Sequence, residues 1–116
     1  MIFVIDDDEI MAECIASAIT GHKVKIFSDA INAMNAISDG EIPEMIFLDI
    51  LLTGPDGFTF LNELSSYDDT AKIPIVVVTS LDLNQADLSV YGVVGILEKE
   101  KMLPQEISEY VEKNVG

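Results

Sequence analysis

Acidic side chains follow several of the short apolar runs in this sequence. Ile2-Phe3-Val4-Ile5 leads into Asp6, Asp7, Asp8 and Glu9, and Met45-Ile46-Phe47-Leu48 leads into Asp49. Ile75-Val76-Val77-Val78 leads into Thr79 and Ser80, and Val93-Val94-Gly95-Ile96-Leu97 into Glu98 and Lys99. Brought to one edge, these ends would put carboxylates, a hydroxyl and an ammonium group in one crevice. Two carboxylates about 4.5 Å apart repel by roughly 3–4 kcal/mol at an effective dielectric of about 20, and three of them with one lysine stay net negative. A divalent cation relieves that repulsion. Carboxylate oxygens, backbone carbonyls and water suit Mg²⁺; Ca²⁺ is the competing ion, but the regular EF-hand spacing is absent. One carboxylate could then attack phosphorus and form an acyl phosphate. Asp49 is the candidate nucleophile, flanked by Asp6 and Asp7 to hold the metal. Lys99 would pair with Asp49 before reaction and with a phosphoryl oxygen afterwards, and Thr79 would offer its hydroxyl to another. Asp8 and Glu9 suit the first turn of a helix. Such a site fits a phosphorylation switch better than a turnover site.

The elements that must position these groups follow from the hydrophobic pattern. The four runs, with Val24-Lys25-Ile26-Phe27, have the length and β-branched content of strands. Those at 2–5, 45–48 and 75–78 are apolar throughout, as expected of parallel strands covered on both faces. Lys25 suits an edge strand. Helical stripes lie between them: Ile10, Met11, Cys14, Ile15, Ala18 and Ile19, then Ile31, Met34 and Ile37, then Phe60, Leu61 and Leu64 from near Gly57. A short fourth helix is expected around Asn84 to Tyr91. A fifth carries Leu103, Ile107, Tyr110 and Val111 on one side, with Pro104 in its first turn. The pattern predicts an α/β, flavodoxin-like (βα)₅ sandwich over 1–116, with parallel strand order 2-1-3-4-5. In such folds ligands bind beyond the carboxyl ends of the strands, where the acids cluster.

Composition narrows the partners. The chain has 116 residues, enough for one domain, and 21 acidic residues against 6 basic ones give a net charge of −15. That field disfavours nucleic acid and anionic membranes and favours cations or basic partner surfaces. No apolar run is long enough for a membrane span. Cys14 is alone, so no intrachain disulfide forms, and we read it as a packed thiol. A soluble cytoplasmic domain is expected. His22 reads as a solvated turn residue.

With these residues in place, the sequence resembles the receiver domain of two-component response regulators over its whole length. The resemblance rests on Val4-Ile5-Asp6-Asp7-Asp8, on the stretch from Leu48-Asp49 to Asp56-Gly57, on Ile73-Pro74 through Thr79-Ser80, and on Lys99 at the end of strand 5. It implies that Asp49 accepts a phosphoryl group from a histidine kinase or a histidine phosphotransfer protein. It implies Mg²⁺ held by Asp7, Asp49 and the backbone carbonyl of Leu51, with Asp6 acting largely through water. It also implies a signalling module rather than an enzyme, acting on an output domain or downstream protein, with a homodimer among the expected assemblies.

The sequence departs from that pattern in four places. Ile96 stands where many members have a tyrosine or phenylalanine. Glu100 replaces the proline after the lysine, and a trans Lys99–Glu100 bond is expected because a non-proline cis bond costs about 3–4 kcal/mol. The stretch from Thr79 to Gly92 is short, and Thr53 stands where proline is common. Leu51 and Leu81 are expected to border the phosphoryl group and slow its hydrolysis by excluding water. The alternatives are a degenerate receiver used only for protein contacts and a Mg²⁺-dependent aspartate-nucleophile phosphohydrolase. A flavin or nucleotide binder is disfavoured, since no glycine-rich phosphate loop follows strand 1.

Overall fold

A computed structural model describes residues 1–50, 56–80 and 88–115. In chain order these form β1 (Ile2–Ile5), α1 (Glu9–Ser17), β2 (Val24–Phe27), α2 (Ala30–Ser38), β3 (Met45–Asp49) and α3 (Asp56–Ser65). Then follow β4 (Ile75–Thr79), a 3₁₀ turn (Ser89–Tyr91), β5 (Val93–Glu98) and α4 (Pro104–Asn114). All strand pairs are parallel, in the order β2-β1-β3-β4-β5. This is the doubly wound arrangement expected from the apolar runs. The first half of the expected fourth helix, Asn84 to Asp87, lies outside the described residues, and the segment ends in the 3₁₀ turn.

The three central strands β1, β3 and β4 are buried along their whole length. Alternate residues face opposite ways and build two core halves. Phe3, Ile5, Ile46, Leu48 and Val77 meet α2 and α3, whereas Ile2, Val4, Phe47, Val76 and Val78 meet α1 and α4. Lys25 does lie on an edge strand, where it pairs with Glu41 at 2.9 Å and sits 5.4 Å from the Phe27 ring centre. A lysine there discourages pairing with another sheet.

Two helices turn a different face to the sheet than the large apolar residues suggest. On α1, Ile10 is 76% exposed and Cys14 is also exposed, while Ala12, Ile15 and the following Ile19 are buried. The expectation of a packed Cys14 thiol is therefore corrected. On α2, Ile31 is exposed, and Ala30, Ala33, Ala36 and Ile37 make the contact. Small side chains let the helix backbone approach the sheet closely, so alanines rather than isoleucines mark the inner stripe. The contact face of α3 is as expected, with Phe60, Leu61 and Leu64 buried. On α4, Ile107 and Val111 are buried, but Leu103 is exposed at the helix start.

Gly57 has a specific steric role in the first turn of α3. A Cβ there would stand 2.5 Å from the Ile50 carbonyl oxygen and 2.9 Å from its Cα, and both are backbone atoms next to Asp49. Only glycine allows this approach. Gly57→Ala is expected to destabilise the fold by about 1–3 kcal/mol, measured as a lower urea midpoint with unchanged slope.

Candidate functional site

Parallel strands of matched register bring their last residues to one edge. Ile5 pairs with Leu48, Asp49 with Val78, and Thr79 with Glu98. Asp6 therefore emerges beside Asp49, with Thr79 one residue further along the neighbouring strand. The Asp6 amide donates to the Phe27 carbonyl at 3.0 Å, and the Lys99 amide donates to the Thr79 carbonyl at 3.0 Å. These bonds fix the chain as it leaves β1 and β5.

The side chains converge. Lys99 Nζ lies 2.9 Å from Asp49 Oδ2 and 3.3 Å from Asp6 Oδ2. Asp6, Asp49 and Thr79 are buried, whereas Asp7 stands exposed at the rim. One carboxylate oxygen from each of Asp6, Asp7 and Asp49 lies within 4.8 Å of the others. Asp8 does not join them. Its carboxylate caps α1 by accepting from the amides of Ile10 and Met11, at 3.0 and 3.2 Å. The Asp8 amide in turn donates to Asp6 Oδ1 at 2.9 Å and fixes that carboxyl group.

Burial raises the Asp6 pKa above the ordinary aspartate value, and the nearby Asp49 charge adds to this; the Asp8 amide and Lys99 only partly oppose it. Burial alone would lower the Lys99 pKa. The hydrogen bond to Asp49 and the two carboxylate charges outweigh that effect and raise it. The site is thus an acidic pocket with one ammonium group and a charge imbalance.

The residues present fit a hard divalent cation. Asp6 Oδ2 is buried and accepts no hydrogen bond, although it stands in ion-pair range of Lys99. A buried carboxylate oxygen in that state is costly. With the exposed Asp7 carboxylate and Asp49 close by, an all-oxygen donor set is available that leaves room for water and a phosphoryl oxygen.

Of the sequence candidates, Asp6, Asp7, Asp49 and Lys99 come together, and Thr79 ends the strand between Asp49 and Lys99. Leu51, whose carbonyl was an expected metal ligand, lies outside the described residues, as do Thr53 and Leu81. No described peptide bond is cis, so Lys99–Glu100 is trans as expected. Lys99 reaches inward all the same, because the chain turns at once: the amides of Lys101 and Met102 both donate to the Glu98 carbonyl. Ile96 is partly buried and packs, like Tyr91, against the core half that holds α2 and α3. The sequence reading paired Lys99 with Asp49 alone. Its second contact, to Asp6, follows from the direct pairing of β1 with β3, which the strand order already implied.

Comparison with known proteins places this geometry in a family setting. The chain matches the response regulator receiver domain family over residues 2–112. It is 32% identical over 83 residues to the response regulator PleD of Caulobacter vibrioides, covering 70% of this chain and 18% of that protein. It is 32% identical over 82 residues to the DNA-binding dual master transcriptional regulator RpaA of Synechocystis sp., covering 69% of this chain and 34% of that protein. The chain thus spans about a third or less of the length of these relatives. Among solved structures, a putative response regulator from Chloroflexus aurantiacus superposes with a TM-score of 0.83 at 25% identity, covering 97% of this chain and 93% of that one. The receiver domain of NtrX from Brucella abortus gives 0.80 at 24%, covering 99% and 98%. The Mn²⁺-bound form of response regulator Rcp1 gives 0.76 at 22%, covering 96% and 91%.

Proposed function

This chain belongs to the response regulator receiver domain family, and from that premise we propose that Asp49 is its phosphoryl acceptor in a two-component phosphorelay. The donor is a phosphohistidine on a histidine kinase or a histidine phosphotransfer protein. The observation that carries the reading is the Lys99 ammonium held between two buried carboxylates, 2.9 Å from Asp49 and 3.3 Å from Asp6.

Asp49 Oδ attacks phosphorus, the bond from phosphorus to the donor nitrogen breaks, and an acyl phosphate forms on the carboxyl group. Phosphoryl transfer is catalysed mainly by positioning and charge stabilisation, so the residues around Asp49 matter more than any covalent assistance. Lys99 leaves its carboxylate partner and neutralises a phosphoryl oxygen. Thr79 donates its hydroxyl to a second oxygen and thereby pulls the end of β4 toward Asp49. Mg²⁺ would be held by Asp7, Asp49 and the Leu51 carbonyl, with Asp6 acting largely through water, and would supply positive charge to the phosphoryl oxygens. The Mn²⁺-bound relative supports a divalent cation of this kind.

The output is a change in protein contacts rather than a released product. Ile96 has no ring to swing inward, so the signal passes through movement of the backbone where the Lys99 amide donates to the Thr79 carbonyl. No described helix is long and apolar enough to cross a membrane. We assign the whole chain, 1–116, to one such domain acting in the cytoplasm on an attached output domain or a separate protein.

Incubation with Mg²⁺ and acetyl phosphate, followed by intact-mass measurement, tests this reading. Wild type is expected to gain one phosphoryl adduct and Asp49→Asn none. An adduct retained by the variant would move the acceptor elsewhere.

A further inference from the structure

We propose that the groove between α2 and α3 docks a basic amphipathic helix of a partner protein. One end of the groove, about 250 Å³, is lined by Ile31 and Phe60, and the other, about 280 Å³, by Leu64 and Tyr67. Met34 and Glu63 line both ends, so the two pockets adjoin along the helix pair. Its apolar side chains are not all needed by the core. Ile31 is 67% exposed and Tyr67 58%, one toward each end. None of the lining residues belongs to the Asp6–Asp49–Lys99 cluster, so this surface is separate from the phosphoryl site.

Charge identifies the occupant. No lysine occurs between Lys25 and Lys72, a stretch that contains both helices of the groove. Glu63 stands exposed in the wall and Asp69 at one end, while Asp29 and Asp39 flank α2 at its two termini. A groove of mixed apolar and hydroxyl lining whose charged groups, among the described residues, are all carboxylates suits a helix that lays apolar side chains at i, i+3 or i+4 and i+7 into it and presents lysine or arginine on both flanks. A second copy of this chain would set the same carboxylates against each other and add a net charge of −15. A nucleic acid or an anionic bilayer would be repelled.

Methyl labelling of the methionines provides the test. Met34 lies in the groove, whereas Met11 and Met102 pack on the opposite face of the sheet. The labelled chain is titrated with a helical lysine–leucine amphipathic peptide and with its glutamate–leucine counterpart. The lysine peptide is expected to shift the Met34 methyl signal and leave those of Met11 and Met102 in place. Glu63→Lys and Ile31→Glu change exposed side chains, so both variants should keep the wild-type far-ultraviolet spectrum. Each should weaken binding about tenfold or more. The proposal is overturned by equal binding of the acidic peptide, by binding that shifts Met11 or Met102 instead, or by no binding of either peptide. Unchanged affinity in both variants overturns it too, as does a Met34 shift produced by concentrating the chain alone, which would make self-association the occupant.

Discussion

Lys99→Met is expected to slow phosphorylation of Asp49 by acetyl phosphate by about 10²–10³-fold at saturating Mg²⁺. That is the usual cost of removing one preorganised donor from a site of developing negative charge. Methionine keeps the apolar stem and its packing but removes the ammonium that lies 2.9 Å from Asp49 and 3.3 Å from Asp6. The same change acts on stability. Without the cation, two buried carboxylates face one another across the crevice. Breaking a buried pair on one side typically costs about 3–5 kcal/mol; Lys99 retains some contact with water, so about 2–3 kcal/mol is expected in the metal-free protein. Added Mg²⁺ should recover part of the stability but not the rate. Time-resolved intact mass gives the rate, and urea titrations with and without Mg²⁺ give the stability. A rate within threefold of wild type would leave Lys99 a purely structural role.

Asp6→Asn should act in opposite directions with and without metal. Burial holds the Asp6 carboxyl above its ordinary pKa, so the folded chain binds this proton more tightly than the unfolded one. As pH rises from the ordinary aspartate range through the raised folded value, ionising Asp6 removes stability, and the loss persists at neutral pH. Asparagine keeps an oxygen for the Asp8 amide and carries no charge. In EDTA at neutral pH the variant should therefore melt a few degrees above wild type, and the gap should close as pH falls below the aspartate range. In Mg²⁺ the order should reverse. A cation at a hundred times its dissociation constant stabilises the folded state by about 2.7 kcal/mol, and the variant should bind it about 10–100-fold more weakly. Thermal melts at two pH values, with EDTA and with Mg²⁺, check both signs. A variant less stable than wild type in EDTA would show that the Lys99 contact outweighs the burial of Asp6.

The strands and the site were legible in the sequence for the same reason. Runs such as Ile75-Val76-Val77-Val78 can be buried on both faces only inside a parallel sheet, and the residue after each run must then sit at the carboxyl edge. That predicts Asp6, Asp49 and Thr79 at the edge, with Lys99 one residue beyond Glu98. The helix faces were harder to read. Bulky residues such as Ile10 and Ile31 mark hydrophobicity but not closeness of approach, and the sheet is met by Ala12, Ala30, Ala33 and Ala36. The strand order implies that Asp6 and Asp49 are neighbours, but how deeply Asp6 is buried depends on side-chain packing that residue types alone do not encode. The tight turn after Lys99 was also hidden, because Glu100 and Lys101 carry no turn signature of their own.

The most direct measurement locates the proposed acyl phosphate. Protein treated with acetyl phosphate and Mg²⁺ is reduced with borohydride, which converts an aspartyl phosphate to homoserine, and is then digested and sequenced by mass spectrometry. Homoserine at position 49, dependent on both the phosphodonor and Mg²⁺, is the expected result. Homoserine at position 6, 7 or 8, with aspartate intact at 49, would contradict it.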